Sequence, residues 1–109
     1  MRHGPNSATL AGMERSEAMS RLQAHKAELK QRGIEHLFLF GSTARGDAYA
    51  DSDVDLFFDH IKGSIGLYEL IGVKETASRI LTRKADIMTR RSLHRVLRDR
   101  IEASALQMF

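Results

Sequence analysis

The sequence predicts an α/β domain in which three short strands alternate with helices. Three observations carry this. The chain has 109 residues with 42% hydrophobic and 28% charged side chains, enough for one globular core. Its apolar spacing switches repeatedly between a period of two and a helical period. A glycine-serine pair, Gly41-Ser42, closes the first strand-like run, and two aspartates two apart, Asp53 and Asp55, open the second.

The elements follow in order. Residues 1–12 are polar, hold the single proline, Pro5, and read as a flexible leader before one domain over 13–109. Residues 13–32 read as one helix, with Met19, Leu22 and Leu29 near one face and Gly33 as its stop. Residues 34–40 are apolar and aromatic, a first strand. Residues 41–46 form a turn that opens a short helix at Ser42, and residues 47–52 a polar loop. Residues 53–59 make the second strand. Leu67, Leu70, Ile71, Ala77, Ile80 and Leu81 place a helix over 66–82. ADIMT, residues 85–89, is a third short strand. Ser92 then caps a last helix with Leu93, Val96, Leu97, Ile101 and Leu106 on one side.

Composition excludes several classes. There is no cysteine, so disulfide frameworks and thiolate metal sites are out. No apolar run has transmembrane length, and the first residues lack a signal-type apolar core. A cytoplasmic protein without membrane contact is expected. The formal net charge of +3 suits anionic substrates but equally serves solubility. The five histidines are scattered without zinc-ligand spacing. The C-terminal arginines, from Arg90 to Arg100, are either a solvated face or a contact for a partner or nucleic acid.

Alternate side chains of a strand share a face. Asp53, Asp55, Phe57 and Asp59 therefore point one way, toward a cleft or solvent, and Val54, Leu56 and Phe58 point into the core. Two close carboxylates repel unless a cation lies between them, and magnesium takes oxygen ligands from carboxylates and phosphates. Asp86, inside the otherwise apolar third strand, is the candidate third carboxylate; a solvated edge charge is the competing reading. Gly41 lets a phosphate approach its backbone. Ser42 offers a hydroxyl and an N–H, and Arg45 adds positive charge on the same turn. The competing reading is an ordinary strand-to-helix turn with a solvated arginine.

GSTARGDAYADSDVDLFFD resembles the signature of the nucleotidyltransferase superfamily, specifically its minimal members. The matching elements are Gly41, Ser42, Ala44, Arg45, Gly46, Ser52, Asp53, Asp55 and Leu56. The similarity extends over about residues 14–109, more weakly through ADIMT and the closing segment; Ala85 and Met88 stand where the family usually has branched apolar residues. The resemblance implies a small mixed sheet flanked by helices, the polymerase-beta-like palm. It implies transfer of a nucleoside monophosphate, AMP from ATP, to a hydroxyl with two magnesium ions and release of pyrophosphate. Carried over by position, Asp53, Asp55 and Asp86 would be the catalytic, metal-holding set. Gly41, Ser42 and Arg45 would bind the nucleotide. Minimal members act as antitoxins of HEPN-domain toxins, some by adenylylating the toxin.

No segment of the chain reads as an acceptor-binding domain, so the acceptor must arrive on another molecule. Two further readings stay open: a non-catalytic antitoxin that masks its partner, and a small-molecule nucleotidyltransferase of the aminoglycoside type. Nucleic acid is disfavoured as acceptor. Pairing of the chain with itself is left open.

Overall fold

A computed structural model gives the structure of residues 12–109, so the leader expected over the preceding residues lies outside the described ones. One sheet is built from β1 (Ile34–Phe40), β2 (Val54–His60), β3 (Ala85–Thr89) and a two-residue β4 (Leu106–Gln107), in the order β3-β2-β1-β4. β1 runs antiparallel to β2 and β4, whereas β2 and β3 are parallel, so the sheet is mixed. The helices are α1 (Arg15–Ala24), α2 (Lys26–Gln31), α3 (Gly41–Arg45), α4 (Leu67–Leu81) and α5 (Arg98–Ser104).

Period-two alternation sorts the strand side chains. Leu37, Leu39, Val54, Leu56, Phe58, Ala85 and Ile87 are buried against Leu22 and Leu29 of α1 and α2 and Val73, Ala77, Ile80 and Leu81 of α4. Ile34 joins this set because the register slips between Ile34 and His36, a bulge that resets the alternation. α4 is the crossover that the parallel β2–β3 pair requires. Glu69 reaches back to the Gly66 N–H at its start, and Thr82 ends it at φ 53°, in the left-handed region.

Two elements differ from the sequence reading. The first helix is broken at His25, whose Nδ1 bonds the Arg21 carbonyl at 2.8 Å while its own backbone leaves helical geometry. The last helix is shorter than predicted. Residues 90–92 form a 3-10 turn, residues 93–97 are irregular, and α5 begins only at Arg98. Leu106 lies in β4, not on that helix. The exposed edge of β1 has unpaired backbone groups to satisfy. The chain end supplies them: Met108 N–H donates to the Leu37 carbonyl at 2.7 Å, and Leu37 N–H to Phe109 O at 3.3 Å.

The sheet face opposite the helices is not simply polar. Phe57, expected to face a cleft or solvent beside the aspartates, is fully buried there. It stacks on Phe38 at 4.6 Å between centroids, and Phe40 tilts against it at 5.7 Å. The Arg90 guanidinium covers both rings, 4.8 Å from Phe38 and 5.0 Å from Phe57. It also donates two hydrogen bonds of 2.8 Å to Asp59 and pairs with Glu102 of α5. Asp59 therefore anchors this cover rather than standing solvated. Its hydrogen bonds from Arg90 hold its carboxyl below the usual range.

A depressed folded-state pKa contributes stability that is present above the unfolded value and lost as pH falls through the folded one. Arg90→Ala is expected to cost about 2 kcal/mol through the lost charged hydrogen bonds and ring cover. Urea unfolding should show this penalty at neutral pH and a smaller one in strong acid, where Asp59 is protonated.

Candidate active site

The site is assembled by register. In the antiparallel pair, Asp55 stands opposite Phe40, the residue before Gly41; in the parallel pair it stands opposite Asp86. Asp55 is thus held between the glycine turn on one side and a second carboxylate on the other. Asp53 lies just before β2 begins. Parallel pairing of equivalent strand positions puts Asp55 and Asp86 on the same face of adjacent strands, about 4.8 Å apart in backbone spacing.

Gly41 has φ +75°, a conformation that favours glycine. Space imposes the same requirement. A Cβ there would press into Asp55 Oδ2 and lie 3.0 Å from Asp55 Cγ. From this turn α3 runs for five residues and stops at Gly46, φ +86°. The Arg15 guanidinium, from α1, donates to the Ala44 carbonyl at 3.1 Å and fixes the end of α3. Ser42 is half-buried at its start; its carbonyl accepts from Gly46 N–H at 2.9 Å and Asp47 N–H at 3.0 Å. The loop that follows is pinned: Ser52 Oγ accepts from Tyr49 N–H at 2.9 Å, and Arg83 donates to the Ala50 carbonyl.

The electrostatics reflect this crowding. Burial pushes the Asp55 carboxyl up to about 6, Asp86 and then Asp53 add repulsion, and Arg45 opposes them. Asp86 itself is exposed, and Asp53 is half-buried with Lys84 Nζ at 3.8 Å from its Oδ2. Arg45 is exposed and bonds Asp47 at 3.3 Å.

The structure therefore brings Asp55, Asp86 and Gly41 into direct proximity and sets Asp53 and Arg45 within electrostatic reach. Asp53 and Arg45 each have a nearer partner. Among the described residues no three His, Cys, Asp or Glu side chains stand as a ready-made metal cage. The donors are nonetheless all oxygen, and Asp55 and Asp86 are adjacent and mutually repelling. That set fits magnesium, which commonly takes one or two carboxylates and completes its shell with waters and substrate phosphates. Sequence reading missed Lys84 beside Asp53, Arg15 behind α3, and the aromatic floor of Phe38, Phe40 and Phe57. Only the Arg83-Lys84 doublet before the third strand hinted at the first of these.

A family model of the nucleotidyltransferase domain matches residues 22–107. The chain belongs to the nucleotidyltransferase family. Among curated relatives, it is 35% identical over 85 residues to the protein adenylyltransferase MntA of Thermococcus cleftensis, covering 77% of this chain and 85% of that one. Among solved structures, a provisionally assigned minimal nucleotidyltransferase aligns with a TM-score of 0.73 at 29% identity, over 86% of this chain and 95% of that one. A chain of a complex between a tri-AMPylated Shewanella oneidensis HEPN toxin and an MNT antitoxin aligns with a TM-score of 0.61 at 15% identity, over 84% of this chain and 71% of that one. This last likeness is one of fold. The mixed sheet with flanking helices is the polymerase-beta-like fold, and the chain is a nucleotidyltransferase of the minimal kind.

Two outcomes are expected at this site. Gly41→Ala should destabilise by about 1–2 kcal/mol, the scale of a left-handed residue with a Cβ. Part of that loss should vanish in Asp55→Ala, so urea melts of the two single variants and the double should be non-additive by about 1 kcal/mol. Asp55→Asn should raise the melting temperature at pH 7.5 without added metal. A carboxyl whose folded-state pKa is raised binds more protons folded than unfolded, so stability falls as pH rises from about 4 through about 6. The gain from Asp55→Asn should therefore shrink at pH 5, which thermal melts at the two pH values would read.

Proposed function

We propose that the chain transfers AMP from ATP to a hydroxyl of a partner protein, with magnesium, and that the partner is a HEPN-type toxin which this modification neutralises. The observation that carries the reading is the placement of Asp55 between Gly41 and Asp86. It sets, in one place, a glycine turn against a carboxylate that is paired with a second one, a set suited to a hard cation and the phosphates it carries. The likeness to a protein adenylyltransferase supports protein as the acceptor class, and the fold likeness to the antitoxin of a HEPN complex supports the partner.

In this reading Gly41 and Ser42 receive the triphosphate and Arg45 supplies a counter-charge from the end of α3. Asp53, Asp55 and Asp86 would hold the metal, Asp53 giving up Lys84 to do so. When bound, magnesium neutralises triphosphate charge and favours in-line displacement at the α-phosphorus. Asp86, exposed beside Asp55, accepts the proton of the acceptor hydroxyl. The acceptor oxygen forms a bond to the α-phosphorus as the bond to the pyrophosphate oxygen breaks.

The test is incubation with α-labelled ATP, magnesium and the product of the neighbouring gene, expected to be a HEPN-domain protein. Label is expected on the HEPN protein. Asp53→Asn and Asp55→Asn should each lower the labelling rate by about 100-fold or more, the scale of losing one preorganised electrostatic stabiliser. Equal labelling by wild type and either variant would sink the assignment of the carboxylates. A tight but unlabelled complex would favour a masking antitoxin.

A further inference from the structure

The irregular segment between the 3-10 turn and α5 departs from its own sequence pattern. Its apolar spacing fits a helix that buries Leu93, Val96 and Leu97 together. Only Leu93 is buried; Val96 is 79% exposed and Leu97 42%. Around them, residues 91–100 hold four arginines against one carboxylate, Asp99. Arg98 is folded back, donating to the Arg91 and Leu93 carbonyls at 2.9 and 3.4 Å, and so holds the turn in shape. Arg91, Arg95 and Arg100 are exposed, and none of them enters an ion pair among the described residues. The result is a fixed surface of outward apolar side chains set among unpaired guanidinium groups. A local rule broken this way marks a surface that something else completes.

Its position supplies the rest of the argument. The segment begins where β3 ends, and Arg90 ties it to Phe38, Phe57 and Asp59, on the sheet face that also carries Asp55. Asp55 and Asp59 are four residues apart on β2, about 13 Å by strand rise. A protein whose hydroxyl sits at Asp86 is wide enough to span that distance and meet the Arg90 end of the same face.

We infer that residues 91–100 are the docking surface for the acceptor protein, and that they select a partner presenting an acidic rim around an apolar patch. The inference rests on the proposed transfer to a protein and adds the surface that recognises it. Guanidinium and apolar side chains together are the composition of a protein interface. A nucleic-acid strand would call for aromatic side chains to stack its bases, and residues 91–105 contain no Phe, Tyr or Trp.

The experiment uses the full chain, the HEPN-domain protein and ATP. Arg95→Glu/Arg100→Glu and, separately, Val96→Asp are each tested by calorimetric binding to the HEPN protein and by label transfer. Circular dichroism checks folding, and Arg95→Gln/Arg100→Gln stands in if a charge reversal misfolds. Each variant is expected to weaken binding by about tenfold or more and to raise KM for the protein acceptor, with ATP binding unchanged. Wild-type binding should also weaken from about 50 to about 300 mM NaCl, more steeply than in the charge-reversed variant. Unchanged affinity in the variants would overturn the docking surface while leaving the transfer reading intact. Wild-type binding without transfer, lost in the variants, would overturn the transfer reading and keep the surface. Binding of a single-stranded RNA that competes with the HEPN protein for the arginines would overturn the protein assignment, and no binding of the HEPN protein by wild type would sink both.

Discussion

The contact between the Asp55 carboxylate and the Cβ-less face of Gly41 organises the end of the sheet that holds the candidate site. It exists because the antiparallel β1–β2 register puts Asp55 opposite Phe40, one residue before the chain turns. The parallel β2–β3 register then sets Asp86 on the other side of Asp55. Neither register could slip by one residue without exchanging core and solvent faces of a strand. Leu56 and Phe58 on one side, and Ala85 and Ile87 beside them, therefore hold the carboxylates in place through their own burial. The site carries a cost in the free chain: a partly desolvated carboxyl crowded by two others, which a bound cation would relieve.

The sheet separates two jobs. One face packs on α1, α2 and α4 and contains most of the buried apolar side chains. The other carries the carboxylates at one end and, beyond Phe40 and Phe57, the Arg90 clamp at the other. That clamp lets buried rings share a face with ionised groups. The guanidinium covers the aromatic surface, while Asp59 and Glu102 satisfy its donors.

Local patterns were legible in the sequence to the degree that they were local. The limits of the first and third strands, the short helix after Gly41 and the long helix before the third strand follow directly from apolar spacing and glycine placement. The Gly41-Ser42 and Asp53-x-Asp55 spacing also pointed to the family to which the chain belongs. What sequence could not give is pairing between distant positions. Asp59 could be read only as facing a cleft or solvent because its partner, Arg90, is 31 residues away. Lys84 showed only as one of a basic doublet before the third strand, and its partner Asp53 is set by pairing between strands. The last segment misled for a different reason. Leu93, Val96, Leu97 and Ile101 have helical spacing, yet the need of the β1 edge for partners draws Leu106 into a strand, and residues 93–97 are irregular. A two-residue strand leaves no periodic trace.

The division of the sheet into a packed face and an open one also bears on how such a chain can change over generations. Substitutions between Arg91 and Arg100 touch few of the side chains that hold the fold together, since of these residues only Leu93 is buried. Variation there is cheap in folding free energy, so under the docking role proposed for this segment partner preference could drift while the scaffold and its carboxylates are inherited intact.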